Sequence, residues 1–387
     1  MLTTLAIANY RSLHELILPL GQLNVVSGEN GSGKSSLYKA LRLLAEIADG
    51  GVAASLAREG GLVSALWAGP EALSHAARRG EAPIQGVTPT QSRSLRLGFA
   101  AEELSYSVDL GYPVPAQSAF DFDPVIKTEC IWAGPVLRPA SMLVERHGAL
   151  VKVRQGSGEW NVVTDGIPTF DSMFTHLADP HNAPEVLRMR EFIRSWRFYD
   201  HFRVDAGSPI RESQYAVRTP VLSHDGRDLA AALQTILEIG DAAGLASAIE
   251  DAFPGSCLHI STQDGRLSVT LSQRGLLRAL GAAELSDGTL RFLLWIAALL
   301  TPRPPVLMVL NEPETSLHPD LLPALARLIG VAATRSQLWV VSHSTRLIAA
   351  LEQIEGCQSI RLVKELGETH ILGQGSLDRP NWKWLTR

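Results

Sequence analysis

One short stretch constrains this chain more than any other: VVSGENGSGKSSL, residues 25–37. An apolar segment, Leu23 to Val26, runs into it, and Ser35 to Ile47 follows with apolar residues at helical spacing. Within the stretch, Gly28 and Lys34 stand at the spacing of the pattern G-x-x-x-x-G-K-[ST]. A buried strand, a glycine-rich turn and a helix in this order predict an α/β domain built on parallel strands.

The residue types in this turn suit phosphate. Glycines let successive backbone N–H groups point inward and approach phosphate oxygens closely. The helix that starts near Lys34 adds unpaired amides and a positive end. The Lys34 ammonium can reach β- and γ-phosphates, and the Ser35 hydroxyl suits a Mg²⁺ ligand position. The alternative is a glycine-rich loop without a ligand, but the strand before it and the helix after it favour a phosphate-binding loop.

Composition narrows the class of protein. The 387 residues are 45% hydrophobic and 19% charged, which is a globular balance, and the net charge of -5 does not indicate a nucleic-acid binder. Cys130, Cys257 and Cys357 are scattered and fit a reducing compartment. The N-terminus has no export signal, and the apolar run Phe292 to Leu300 falls short of the ~20 residues that cross a membrane. We expect a cytoplasmic protein.

Apolar patterning predicts one mainly parallel core sheet, interrupted by a long middle. Leu2 to Ala8 and Leu23 to Val26 are predicted as strands of this sheet, which resumes after Ala283, where helices and strands alternate. Between them, residues 92–163 alternate as antiparallel strands, and residues 184–253 are mostly helical. We divide the chain into an N-terminal part of the core with an antiparallel subdomain (1–170), a helical insert (171–280) and a C-terminal part of the core (281–387).

Two later strands end in residues suited to phosphate chemistry. PPVLMVLNEPETSLHP, residues 304–319, is an apolar strand that ends in polar residues, where Glu312 would face the γ-phosphate and orient or deprotonate a water. QLWVVSHS, residues 337–344, is another apolar strand that ends at His343, which can hydrogen-bond the same groups. Either residue alone is compatible with an ordinary loop; together with the glycine-rich loop they predict a nucleotide site.

A third segment, LSDGTLRFLLWIAALL, residues 285–300, begins an apolar helix with Ser286 and Gly288. A serine there caps exposed amides, and a glycine allows close approach of another backbone. Two interpretations stay open: an N-cap on a core helix, or a second helix N-terminus directed at phosphate.

The ordered set GENGSGKSS, LSDGT, VLNEPETSLHP and VVSHS resembles the ABC-type ATPase heads of the structural-maintenance-of-chromosomes (SMC) and RecF-like group. More narrowly, it resembles single-chain bacterial AAA-type predicted ATPases of the overcoming-lysogenization-defect-like kind. The resemblance implies a P-loop NTPase fold with a parallel core sheet flanked by helices, an antiparallel β-subdomain and a helical lobe. It also implies ATP, Mg²⁺ and a homodimer with ATP sandwiched at the interface.

The resemblance assigns roles to individual residues. Glu312 corresponds to the catalytic glutamate, and His343 to the switch histidine. Ser286 and Gly288 correspond to the signature motif, which contacts the nucleotide of a partner subunit. Thr315 to Leu317 correspond to a dimer-facing loop. The Walker A loop corresponds to Gly28, Glu29, Asn30, Gly31, Ser32, Gly33, Lys34, Ser35 and Ser36.

Two positions need separate comment. Arg11 falls where the group often has a basic residue near the nucleotide, although an exposed arginine in a turn is an equal alternative. Asn311 stands where the group usually has aspartate. An asparagine keeps one acceptor oxygen but loses the charge that fixes Mg²⁺, so Ser35 and Asn311 are expected to hold the ion weakly. The sequence therefore predicts a slow ATPase.

Three functions fit these residues. The first is an ATP-dependent dimerisation switch coupled to an unidentified protein partner. The second is a nucleotide-gated scaffold that hydrolyses little and regulates an effector, for example in phage defence. The third is a RecF-like repair ATPase on DNA, whose support is the arginine- and aromatic-rich stretch 188–211. For that stretch an amphipathic helix and strand with a buried aromatic face is the favoured interpretation.

Overall fold

The computed structural model describes residues 1–70, 94–114, 118–375 and 377–385. Residues 92 and 93, which the sequence places at the start of the antiparallel region, lie outside the described residues. Internal contacts divide the chain into a first unit (Met1–Gly21, Gly28–Ser195 and Ile360–Arg387) and a second unit (Gln22–Ser27 and Trp196–Ser359). Each unit combines segments that are separate in the sequence. The predicted division into residues 1–170, 171–280 and 281–387 therefore stays a prediction.

An antiparallel sheet dominates the first unit. Its strand order is β2-β1-β4-β5-β6-β7-β8-β9. The strands are β1 (Leu2–Tyr10), β2 (Leu13–Pro19), β4 (Leu95–Ala101), β5 (Leu104–Gly111), β6 (Val125–Ala133), β7 (Met142–His147), β8 (Leu150–Arg154) and β9 (Trp160–Thr164). The alternating apolar pattern predicted β4 to β8, and these strands are confirmed. The prediction for Leu2 to Ala8 is wrong in one respect: the segment is a strand, but it pairs antiparallel with both β2 and β4.

Helices and a hairpin complete the first unit. The helices are α1 (Lys34–Ala48), α2 (Val52–Arg58), α3 (Gly61–Ala65), α4 (Met173–His176) and α5 (Pro184–Arg194). The hairpin is formed by β17 (Cys357–Glu365) and β18 (Glu368–Ile371), paired antiparallel from Leu362 onward. A buried ion pair lies inside this unit, with Arg146 Nη1 2.7 Å from Glu129 Oε2 and both side chains fully buried.

The second unit contains a parallel sheet. Strands β10 (Arg197–Tyr199), β15 (Leu307–Asn311), β16 (Gln337–Val341) and β3 (Leu23–Gly28) follow one another in this order, each parallel to the next. All residues of β16 are buried, as expected for a strand covered on both faces. The predicted joining of the segment Leu23 to Val26 with the C-terminal strands is therefore confirmed.

Helices and a small antiparallel sheet complete the second unit. The helices are α6 (Leu229–Ile239), α7 (Ala242–Ala252), α8 (Asp287–Leu299), α9 (Leu322–Ala333) and α10 (Thr345–Leu351). The small sheet contains β11 (Gln214–Tyr215), β12 (Cys257–Gln263), β13 (Arg266–Ser272) and β14 (Leu280–Gly281). Every residue of α8 from Leu290 to Leu299 is buried, so this helix is the centre of the unit's core. Within the described part of the chain, no helix is long and apolar enough to cross a membrane.

Candidate nucleotide-binding site

The glycine-rich loop has the backbone conformation that its sequence predicts. It follows β3 and ends at Gly33, the N-cap of α1, whose φ is 108°. Gly28 and Gly31 also have positive φ values, of 149° and 80°. A Cβ atom on Gly33 would lie 2.8 Å from Cγ2 of Thr369, and one on Gly28 would lie 2.6 Å from Oγ of Ser32. Side chains at both glycines are therefore excluded, and the backbone is left bare at these two positions.

Lys34 closes this loop. Its side chain is buried, and Nζ donates hydrogen bonds to the backbone oxygens of Gly28, at 2.6 Å, and Glu29, at 2.9 Å. An ammonium group is thereby held across the mouth of the loop by two neutral acceptors. A phosphate oxygen carries charge and would be a stronger acceptor than either carbonyl.

Three features fit a bound phosphate chain. The N-terminus of α1 has no side-chain cap and no acidic residue in its first turn, so its amides remain available to an anion. Ser35 is exposed at this end. Among the residues that the structure describes, the buried hydroxyl of Ser32 has no hydrogen-bond partner. The backbone oxygen of Ser32, in contrast, accepts a 2.9 Å hydrogen bond from Thr369 Oγ1, which fixes the loop.

Arg11 lies in the first unit, in the turn between β1 and β2, with a φ of 51°. Its Nη2 is 2.9 Å from Oε2 of Glu59, which also accepts a 2.7 Å hydrogen bond from the Tyr10 hydroxyl. Burial and then the hydrogen bond to Glu59 raise the pKa of Tyr10 well above its usual range. Arg11 is thus ion-paired on the protein, and its role toward a nucleotide stays a prediction.

The second unit brings the other predicted residues to one edge of its parallel sheet. Asn311, the last residue of β15, is in register with Val341 of β16, which is in register with Val26 of β3. The backbone N–H of Glu312 donates to Val341, and that of Ser342 donates to Val26. Because parallel strands share their carboxyl ends, Asn311, Glu312 and His343 follow the same edge as the strand that continues into the glycine-rich loop.

Glu312 has an unusual backbone. Its φ of 49° is in the left-handed region, which non-glycine residues rarely adopt and which often marks a functional site. Its side chain is 46% exposed, and Oε1 lies 3.6 Å from Nδ1 of His343, which is 54% exposed. The carboxylate and the imidazole are therefore adjacent and open to solvent.

Glu314, two residues after Glu312, is the centre of a hydrogen-bond network. Its side chain is 6% exposed. Oε1 accepts hydrogen bonds from Ser342 Oγ at 2.6 Å, the His343 N–H at 2.9 Å and the Ser344 N–H at 3.0 Å. The same oxygen lies 3.4 Å from Nδ1 of His343. Glu314 therefore fixes both the backbone and the ring of His343.

Ser286 and Gly288 lie at the start of α8. The Ser286 hydroxyl accepts a 3.1 Å hydrogen bond from the Thr289 N–H and is exposed, so Ser286 caps this helix, and its role toward a phosphate stays a prediction. A Cβ on Gly288 would lie 3.3 Å from the backbone oxygen of Ser316, whose φ is 61°. Gly288 therefore allows the segment Thr315 to Leu317 to approach the start of α8.

Arg211 organises the segment before α8. Its Nη1 donates to the backbone oxygens of Ala282 and Leu285, at 3.1 and 2.8 Å, and its Nη2 is 2.5 Å from Oδ1 of Asp287. This arginine was grouped with the basic stretch in the sequence. Its side chain is 11% exposed, and it holds the loop that presents Ser286.

The rest of the stretch 188–211 has a buried aromatic face, as the favoured interpretation of its sequence predicts. Its aromatic side chains are buried: Trp196, Phe198, Tyr199 and Phe202. Its arginines form ion pairs with acidic residues: Arg188 with Glu103, Arg194 with Asp49, and Arg203 with Asp205. Buried rings cannot stack on bases, so these aromatic residues do not form a nucleic-acid platform.

Asp200 is a carboxylate that the sequence did not single out. It follows the last residue of β10, at the same edge of the sheet as Asn311, and is half-buried. Burial raises the pKa of the Asp200 carboxyl to about 6. Its place beside β15 depends on a strand pairing that no local motif indicates.

Comparison with known proteins supports this geometry. The family described as "AAA ATPase domain" matches residues 1–54, and the family described as "AAA domain, putative AbiEii toxin, Type IV TA system" matches residues 172–349. Both descriptions are of AAA-type domains, and they match the two parts of the chain that contain the glycine-rich loop and the residues Glu312 and His343. A search of curated proteins finds no match.

Solved structures of SMC heads are similar to this chain along almost its whole length. An SMC head bound to the C-winged helix domain of ScpA is 12% identical over 96% of this chain and 97% of that chain, with a TM-score of 0.51. The SMC head domain from Thermotoga maritima is 14% identical over 96% and 98%, with a TM-score of 0.46. An SMC head from Pyrococcus furiosus, bound to the C-terminal domain of ScpA, is 11% identical over 96% and 95%, with a TM-score of 0.49.

The SMC head with a TM-score of 0.51 shows the fold of this chain. The protein has the α/β fold of an SMC-type ATPase head, which confirms the predicted fold class and the resemblance to the SMC and RecF-like group.

Proposed function

We propose that this protein is an ATP-dependent dimerisation switch, in which two chains close over two ATP molecules and hydrolysis lets them separate. One observation carries the proposal. Glu312, His343 and the strand that leads into the glycine-rich loop share the carboxyl edge of one parallel sheet, which is where ligands bind in open α/β sheets.

In this proposal the loop from Gly28 to Ser36 binds the triphosphate. Lys34 exchanges its two carbonyl partners for phosphate oxygens, and the Ser32 hydroxyl gains a partner. The uncapped amides of α1 add a positive end at the same place. Lys34 is thus the residue whose loss weakens nucleotide binding most.

Glu312 acts as the general base or orients the attacking water, because its carboxylate is exposed at the end of β15. His343 stands beside it as a donor to the γ-phosphate or the water. Glu314 is a positioning residue, since its bonds hold the loop and ring of His343 from the buried side.

Ser35 and Asn311 are the proposed protein ligands of Mg²⁺, which neutralises charge on the phosphate oxygens when it is bound. The neutral amide of Asn311 contributes less than a carboxylate would, so we propose slow turnover.

Dimerisation uses the exposed start of α8. Ser286 and Gly288 would contact the nucleotide of the second chain, and the segment around Ser316 would face that chain. The SMC head with the same fold is described as bound to a domain of ScpA. By analogy we propose that opening and closing of this dimer acts on a protein partner. The buried aromatic side chains in the stretch 188–211 make this switch the preferred function over a DNA-repair ATPase.

The test uses Glu312→Gln, which removes the base but leaves the nucleotide contacts in place. With ATP and Mg²⁺, we expect this variant to accumulate as a dimer, measured by size-exclusion chromatography with light scattering. Glu355→Gln, an exposed position outside the proposed site, serves as the matched control and should behave as the unmodified protein does.

A Glu312→Gln variant that binds ATP yet stays monomeric would exclude the sandwich dimer. A variant that dimerises with ATP but whose parent shows no hydrolysis would favour the nucleotide-gated scaffold instead.

A further inference from the structure

Asn311 leaves a question about charge at the carboxyl edge of the parallel sheet. Sites for Mg²⁺ and a nucleotide commonly supply one or two protein carboxylates in addition to the phosphate oxygens. In the proposed function the Glu312 carboxylate acts on the attacking water, and the Asn311 side chain is neutral. A second source of negative charge at this edge would therefore matter for cation binding.

The pairing of strand β10 with β15 brings a carboxylate to the end of the sheet where Asn311 lies. Phe198 is in register with Val309, and Tyr199 with Leu310. Asp200 follows Tyr199 directly after the end of β10, and Asn311 follows Leu310 as the last residue of β15. Because the two strands are parallel and neighbouring, both residues lie at the carboxyl edge of the sheet, one strand apart.

Buried side chains of α8 fix the chain around Asp200 against the loop after β15. The Trp295 ring lies 6.3 Å from that of Tyr199 and 4.8 Å from that of Phe202, centroid to centroid. Its indole N–H donates a 3.0 Å hydrogen bond to the backbone oxygen of Pro313. Trp295 therefore joins the residues on both sides of Asp200 to the residue that follows Glu312.

A second bond acts on the same segment. Nη2 of Arg291 donates a 3.3 Å hydrogen bond to the backbone oxygen of Phe202. Asp200 is half-buried, and the aromatic side chains on either side of it, Tyr199 and Phe202, are both buried. Such a rigid support is what a group needs to meet a cation in a defined position.

We infer that Asp200, directly after strand β10, supplies the carboxylate that Asn311 lacks toward the divalent cation bound with the nucleotide. Asn311 contributes its amide oxygen, and Asp200 contributes the charge, directly or through a water in the cation's shell. The inference rests on the proposed function, because the cation arrives with ATP.

The test measures cation-dependent binding of a fluorescent ATP analogue, N-methylanthraniloyl-ATP, during a Mg²⁺ titration and also in EDTA. Asp200→Asn is expected to shift the Mg²⁺ midpoint about 10- to 100-fold upward, the range seen when a partner of a metal site is removed. Binding in EDTA should not change. Asp205→Asn is the matched control, since this exposed aspartate lies in the same segment and is paired with Arg203.

A rescue makes the result specific. Adding Asn311→Asp to Asp200→Asn should return the midpoint to within a few-fold of the unmodified protein. Asn311→Asp alone should tighten Mg²⁺ binding less than it does in the Asp200→Asn background. Thermal unfolding without nucleotide checks that each variant folds, and Asp200→Ser replaces Asp200→Asn in both backgrounds if Asp200→Asn does not fold.

The outcomes separate this inference from the proposed function. An Asp200→Asn titration that overlays that of the unmodified protein would overturn the role of Asp200 and leave the ATPase intact. Equal gains from Asn311→Asp in both backgrounds would overturn it as well. An unmodified protein that binds no nucleotide, with or without Mg²⁺, would instead overturn the proposed function.

Discussion

Glu314 offers a sharp prediction, because a single buried oxygen organises the loop that carries the candidate switch histidine. Oε1 of Glu314 accepts from Ser342 Oγ and from the N–H groups of His343 and Ser344, over 2.6 to 3.0 Å. Hydrogen bonds to a charged group contribute about 1.5–3 kcal/mol each, although contributions at one atom are not additive. The Ser344 N–H also has a second acceptor, the Ser342 hydroxyl.

Glu314→Ala should therefore lower the free energy of unfolding by about 2–4 kcal/mol, because two backbone donors and a hydroxyl lose a buried acceptor. Glu314→Gln keeps one acceptor oxygen and should cost about half as much. Urea unfolding monitored by tryptophan fluorescence measures both. Glu314→Ala should also lose ATP turnover, since His343 is no longer held, whereas Glu314→Gln should lose only part of it.

Glu312→Gln is the matched control. Its side chain is 46% exposed and its Oε1 lies 3.6 Å from Nδ1 of His343, so stability should hardly change while turnover falls. Refutation would take either of two forms. The first is a Glu314→Ala variant that unfolds at the urea concentration of the unmodified protein, and the second is a Glu314→Ala variant that retains full turnover.

Two further predictions concern the first unit. Gly33→Ala should lower the unfolding temperature more than Gly31→Ala does, because both residues have positive φ but only Gly33 would place a Cβ against Thr369, at 2.8 Å; equal losses would show that the contact does not matter. Glu129→Gln should cost about 3–5 kcal/mol of unfolding free energy, since the buried charge of Arg146 then keeps only backbone acceptors and loses its negatively charged partner. In that experiment Glu103→Gln, at an exposed ion pair, should have little effect, and a comparable loss in both variants would contradict the reasoning.

Local patterns predicted the parts of the site that a short segment determines. The turn from Gly28 to Lys34 needs positive φ at its glycines and a helix after it, and both requirements are readable from residue types at fixed spacing. Glu312 and His343 were predicted in the same way, as polar residues that end apolar strands. Parallel strands then bring such ends to one edge.

Strand pairings and hydrogen bonds between distant segments of the chain determine the features that local sequence patterns did not predict. Alternating apolar residues predicted a strand at Leu2 to Ala8 but not its direction, which is set by the short turn into β2. Asp200 gains its place from the pairing of β10 with β15, which are far apart in the chain. No local pattern indicates the buried roles of Glu314 and Arg211, because the donors to Glu314 and the acceptors of Arg211 come from distant segments of the chain.

The central claim is that each ATP is shared by two chains, and a mixing experiment tests it most directly. Lys34→Ala disables the glycine-rich loop, and Ser286→Arg obstructs the start of α8, so each variant alone should hydrolyse no ATP. In an equal mixture, half of the dimers contain both variants and keep one intact site of two, so about a quarter of the normal rate should return. A mixture as inactive as its components, from variants that still fold, would contradict the account.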